Sequence, residues 1–227
     1  MRALSRFAAV SLLLASSLAS AGPITITGYD VENAQLSGFA GWSHTYTGTI
    51  TNTGSSGSCN GFGYTNADYT GGTGTMADGV TSSTTSSSML FCTTELPKIT
   101  VFFDGVYSLT SLTIFSEVPG NLIPGSIVGL DVTFGGVTQN FVTAPLNTVN
   151  EFVDTGSFFP GFSGSSVILS NFSTAGGFGA FFNITELQFS GEGAVQPPPV
   201  NGVPEPTTLA LLGLGLLGLL AIRRRAA

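Results

Sequence analysis

Very few side chains in this chain could carry covalent chemistry. Of its 227 residues one is histidine and two are cysteine. His44 stands in Gly41-Trp42-Ser43-His44-Thr45-Tyr46, and any Ser-His-Asp relay would have to use it as the base. No G-x-S-x-G elbow supplies it with a nucleophile, and no H-E-x-x-H helix makes it a zinc ligand. A lone histidine in that setting reads as a packing residue. Gly161-Phe162-Ser163-Gly164 and Gly176-Gly177-Phe178-Gly179 are loops rather than phosphate cradles, because no helix or lysine follows them. Paired carboxylates can in principle cleave glycosides, but acids scattered along a small domain form pairs without chemical meaning.

Cys59 and Cys92 are the only thiols. In an oxidising compartment an even pair reads as one disulfide, whereas a two-cysteine metal site lacks a second ligand pair nearby. Residues 47 to 88, which they largely bracket, are rich in Ser, Thr and Gly. Ordering such a segment is entropically costly, and a staple offsets part of that cost. Trp42 and Tyr46, with Tyr64 and Tyr69, form an aromatic strip. Exposed rings of this kind stack on sugars; buried ones pack a core, and both readings stay open here.

The elements that must position these residues are strands. In Ile127–Phe134, alternation places Val128, Leu130, Val132 and Phe134 on one face. Gly135-Gly136 then falls where a tight hairpin turn belongs, before Val137 to Thr143. Val106 to Phe115 turns Leu112 and Ile114 inward, and Ser166 to Ser170 is a short β-branched run. Near the end, Phe182 and Ile184 have one parity and Leu187 and Phe189 the other. A β-bulge near Thr185 and Glu186 would reconcile them. Only the two termini suit helices. With phenylalanine spread through the strands to fill a core, the expected fold is an all-β antiparallel β-sandwich of about eight strands.

Both termini read as targeting segments. Arg2 and Arg6 precede an apolar run from Phe7 to Leu18, and Ala19-Ser20-Ala21 forms an A-x-A site before Gly22. That pattern is a secretory signal peptide over residues 1–21, cut by signal peptidase. The ectodomain is then 22–190, followed by a Pro/Gly linker over 191–202 whose Pro197-Pro198-Pro199 favours an extended spacer. Residues 22 to 203 carry one basic side chain, Lys98, against twelve acids, a formal charge of −11. Such a surface repels nucleic acid and attracts cations.

The last stretch, 203–227, has three parts: Val203-Pro204-Glu205-Pro206, an uncharged apolar run over 207–222, and Arg223-Arg224-Arg225. As a transmembrane helix the run would be about 24 Å long at 1.5 Å per residue, short for a hydrocarbon core of about 30 Å. The arginines act as a stop-transfer anchor on the cytoplasmic side, and the prolines keep Glu205 in an extended, accessible strip. The tail closely resembles the PEP-CTERM sorting signal of Gram-negative bacteria. That resemblance implies processing by the membrane protease-transpeptidase exosortase, a transient stay in the inner membrane, and release to the cell surface or extracellular matrix.

The ectodomain resembles discoidin-like domains, the galactose-binding jelly rolls of the coagulation-factor type C family. Ala77-Asp78-Gly79-Val80-Thr81 is similar to their "DG-x-x-T" loop. Lys98 to Leu109 followed by Leu112-Thr113-Ile114-Phe115 resembles their paired strands, and Ile184 to Gly191 their final strand. Phe102-Phe103-Asp104 replaces the family's Asp-Leu-Gly, and the tryptophan expected after the Thr loop is missing. The resemblance implies a calcium ion held by carboxylates of Asp78 and Glu186 and an oxygen of Thr81, a ligand set that suits a hard cation. The whole chain is thus expected to be a non-catalytic component of an extracellular matrix or biofilm that either binds polysaccharide or simply integrates into the matrix. The competing reading is a hydrolase or other enzyme acting on that matrix.

Overall fold

The computed structural model describes residues 21–36, 41–54, 59, 63–81, 87–116, 125–142, 159–175 and 180–193. Ala19, most of the signal peptide, most of the linker and the whole tail, including Val203–Pro206 and Arg223–Arg225, lie outside the described residues. The described part belongs to one compact unit ending at Ala194.

Eleven strands and short 3-10 turns make up this part: β1 Gly22–Pro23, β2 Ile26–Gln35, β3 Thr49–Gly54, β4 Asn66–Gly72, β5 Met89–Cys92, β6 Lys98–Phe115, β7 Ser126–Phe134, β8 Val137–Val142, β9 Gly164–Ala175, β10 Phe181–Ile184 and β11 Glu186–Gly193. All pairings are antiparallel. The expected all-β class is therefore observed. β1 opens directly at Gly22, which pairs with Gly191, so the sheet begins where the A-x-A site would free the chain. β11 runs to Gly193, three residues into the stretch expected to be linker.

The long strand β6 organises the sandwich. Its first half, Lys98–Phe103, lies between β2 and β9, while Tyr107–Phe115 pairs with β11. A register shift between Phe102 and Tyr107 marks the change of neighbour. The sequence motif matched to two paired strands is thus one strand that serves two sets of partners. Core rings close the space between layers. Phe172 of β9 stacks on Phe182 of β10 with centroids 4.7 Å apart, though the two strands are not paired. Phe103 of β6 meets Phe189 of β11 at 5.1 Å.

Two local expectations need revision. On β7, Leu130, Val132 and Phe134 are buried as alternation predicts, but Ile127 takes the inward place in front of them and Val128 is half-buried. Register shifts around Gly129 in the β7–β9 pairing reset the phase there. The parity change near Thr185 is not a bulge within one strand. β10 pairs with β5 up to Ile184, and from Glu186 the chain pairs with β6 as β11. The single residue between them, Thr185, hands its N–H to the carbonyl of Phe115 at 2.8 Å. One residue of slip flips the inward face, which is why both parities bury their phenylalanines.

The Gly135-Gly136 hairpin forms as expected. Phe134 pairs with Val137, and both glycines hold positive φ, 58° and 82°, the requirement of a type I′ turn.

A smaller second core holds Trp42, Cys59, Tyr64, Leu90, Cys92 and Phe181. The Cys59–Cys92 disulfide lies inside it. The staple therefore fixes residue 59 against β5, beside β10.

Candidate functional site

The Asp78-Gly79 turn sits against the start of β11. Asp78 bends the chain by accepting the N–H of Val80 on Oδ1 at 2.9 Å, an Asx turn. The next amide, of Gly79, donates to Oε2 of Glu186 at 3.3 Å. Glu186 is buried, 4% exposed, while Asp78 and Thr81 are exposed. Burial is the main force that pushes the Glu186 carboxyl up, to about 7; the charge of Asp78 adds to it and the Gly79 hydrogen bond opposes it. Two acids of the expected cation set are thus brought together, and their mutual repulsion is what a bound cation would relieve. Thr81 sits on the exposed side of the turn. Among the described residues no three His, Cys, Asp or Glu side chains cluster, so any ion here would draw its further oxygens from backbone or water.

The aromatic strip does not form a stacking platform. Trp42 is buried beside the disulfide, and Tyr64 and Tyr69 are fully buried. Packing won because Trp42 and Tyr64 fill the second core and Tyr69 the main one. Tyr46 is half-buried, and both faces of its hydroxyl are used: it donates to the carbonyl of Tyr29 at 2.7 Å and accepts the N–H of Gly72 at 2.9 Å. Of the two readings open for Trp42 its burial favours core packing, and Tyr46 serves as a brace between β2 and β4.

His44 is likewise committed. The Tyr69 hydroxyl donates to the carbonyl of Gln35 at 2.7 Å, so Nε2 of His44, 2.8 Å away, is the donor to Tyr69. Burial lowers the imidazole to about 4, which keeps it neutral near pH 7.

The residue that sequence reasoning passed over is Phe102. Val101 and Phe103 are buried on β6, so Phe102 must point the other way, and it is 38% exposed. Its cross-strand partners are Gly28 on β2, which has no side chain, and Ser166 on β9, which has a small one, so neither covers the ring. Phe102 and Asp30 line a groove of about 390 Å³ with Thr27, Thr47 and Thr73. The Gly71 amide donates to Oδ1 of Asp30 at 2.7 Å and fixes that carboxylate. The groove wall depends on close backbone approach. A Cβ on Gly48 would stand 2.3 Å from the carbonyl oxygen of Thr70, and one on Gly72 would stand 2.2 Å from the nitrogen of Gly48. Strand parity at Phe102-Phe103 was the signal available in the sequence; the empty partner position at Gly28 was not.

Residues 202–225 match the model of the PEP-CTERM protein-sorting motif. The chain carries a PEP-CTERM sorting signal. That match includes Val203–Pro206 and Arg223–Arg225, a motif that indicates export and membrane-linked sorting. Among the described residues no helix is long and apolar enough to cross a membrane; the apolar run 207–222 lies outside them. Among curated proteins none matches the sequence. Several solved structures are similar. The family 32 CBM of C. perfringens NanJ, in complex with galactose, is 14% identical with a TM-score of 0.37, over 70% of this chain and 98% of that one. An F-lectin from Morone saxatilis (striped bass) serum is 16% identical with a TM-score of 0.40, over 70% of this chain and 49% of its own. The lectin binding domain of Lectinolysin, complexed with Lewis b, is 12% identical with a TM-score of 0.39, over 70% and 99%.

Proposed function

We propose that this PEP-CTERM protein is exported, halts in the inner membrane on its C-terminal span, and is released by exosortase to the cell surface or matrix. There it acts as a non-catalytic, glycan-binding module. The sorting half of the reading is supported by the motif at 202–225. The binding half rests on one observation, the uncovered ring of Phe102 beside Asp30 in the threonine-lined groove. An aromatic face takes the C–H face of a pyranose, while a fixed carboxylate and hydroxyl groups exchange hydrogen bonds with its hydroxyls.

A structural calcium belongs to the same reading. Asp78 and Glu186 would hold it, joining the turn after the 3-10 segment Thr75–Ala77 to β11; when bound, the ion neutralises two facing carboxylates.

A glycan array on the exported protein, run beside a panel of glycoside hydrolase substrates, tests the function. Binding without turnover is the expected result. Turnover of any substrate that it binds would replace this reading with the enzyme.

A further inference from the structure

The hydrogen bonding of the groove beside Phe102 is one-sided, because its donors are turned inward. The Gly71 amide donates to Oδ1 of Asp30 at 2.7 Å, and the Gly72 amide to the Tyr46 hydroxyl at 2.9 Å. The Thr47 hydroxyl donates to the carbonyl of Thr73 at 3.1 Å and accepts the Thr73 amide at 3.0 Å. The Thr27 hydroxyl donates to the carbonyl of Phe102 at 3.3 Å. A hydroxyl has one proton and two lone pairs, so Thr27 and Thr47 are left with lone pairs alone to offer a ligand. Oδ2 of Asp30 takes no hydrogen bond from the described residues and is an acceptor as well. Of the threonines lining the groove, only Thr73 keeps a hydroxyl proton to give.

Electrostatics point the same way. The face of an aromatic ring is its negative side, and the Phe102 ring is partly exposed. Residues 22 to 203 carry a formal charge of −11. Lys98 is the only Lys or Arg among the described residues, and it is bound to Glu32. The Asp30 carboxylate therefore has no basic side chain paired with it among these residues. A carboxylate and an aromatic face in one groove suit a cation. An ammonium group brings three donors and no acceptor, the complement of what the groove presents.

We propose that the groove takes a glycan with free, protonated amino groups, a de-N-acetylated amino sugar. The ammonium would sit on Oδ2 of Asp30 and the pyranose against Phe102. An N-acetyl group in that place removes the charge and sets a carbonyl against acceptors. Carboxylated or sulfated sugars bring negative charge to a negative groove. This inference rests on the glycan-binding reading and adds the class of sugar to it.

Titration calorimetry on the exported protein, at about 0.15 M salt to screen distant charges, tests it with three probes. They are a glucosamine tetramer, its fully N-acetylated counterpart and a capped lysine tetramer, in mildly acidic buffer that keeps the amines protonated. The glucosamine tetramer should bind about tenfold more tightly than either of the others, the scale of one charge-assisted hydrogen bond. Asp30→Asn keeps an oxygen for the Gly71 amide and removes the charge; it should erase that preference by weakening the amine form alone. Phe102→Ala should weaken both sugars. Glu192→Gln, which removes a charge outside the groove, should change neither. If the N-acetylated tetramer binds as tightly, or Asp30→Asn keeps the preference, this inference fails while glycan binding stands. It fails also if the lysine tetramer binds as tightly and depends on Phe102, since the groove would then read charge and not sugar. If neither sugar binds, the inference is lost and the glycan array alone decides the wider reading.

Discussion

The N–H of Gly79 reaches the carboxylate of Glu186 at 3.3 Å, joining two points 107 residues apart in the chain. The contact brings the Asp78 turn and the first residue of β11 to one place, and with it two acids that repel. Calcium at 100 times its dissociation constant should stabilise the fold by about 2.7 kcal/mol, which raises melting by roughly 5–10 °C. Asp78→Ala and Glu186→Ala should each remove most of that rise. A melting temperature unchanged by chelation in wild type and by calcium in all three proteins would show that these acids only shape the turn.

The disulfide should matter most for residues around 59. Replacing Cys59 and Cys92 together by serine is expected to cost about 3–4 kcal/mol for a loop of 33 residues. Melting should fall by roughly 10 °C. Non-reducing peptide mapping of the exported protein should recover the two cysteines in one linked peptide; two free thiols would contradict the structure.

Phe102 offers a test that separates binding from stability. Its ring is partly exposed and its strand partners Gly28 and Ser166 are small, so Phe102→Ala should leave melting within about 1 kcal/mol of wild type. Binding to any glycan found on the array should weaken by about tenfold or more, which corresponds to about 1.4 kcal/mol. Full binding by Phe102→Ala would move the site elsewhere.

His44 gives the fold a pH dependence of known sign. Its folded value, about 4, lies below the ordinary 6.5. Between those values the unfolded chain binds more protons, so stability rises with pH through the window and is lost on acidification from about 6.5 toward 4. The full swing is about 3 kcal/mol at most. Urea midpoints of wild type and His44→Gln at pH 4.5 and 7 should show a smaller pH difference in the variant. An equal difference would place the imidazole in solvent.

The sorting signal predicts a truncated mature form. Intact mass of the extracellular protein should lack everything beyond the neighbourhood of Pro206, and the N-terminus should begin at Gly22. Exported material that still carries Arg223–Arg225 would show that the tail is a permanent anchor.

The sequence alone determined the all-β class of the fold and carries the sorting motif. Alternation is a local property, so Leu130, Val132, Phe134, Leu112 and Ile114 could be turned inward without knowing their partners. Gly135-Gly136 specified its turn because only glycine takes both positive φ values without strain. The tail is read as a linear signal, so its residues carry their meaning in order. Tertiary structure decided what depends on neighbours brought from afar. Strand parity shows that Phe102 faces outward, but only its pairing with two small residues, Gly28 and Ser166, leaves its ring partly exposed. The two parities around Thr185 are visible in the sequence, but the switch from β5 to β6 that explains them is a matter of pairing. Trp42 could be a platform or a core ring until the disulfide and Phe181 closed over it. Burial is the sum of contacts from many segments, and no local pattern contains that sum.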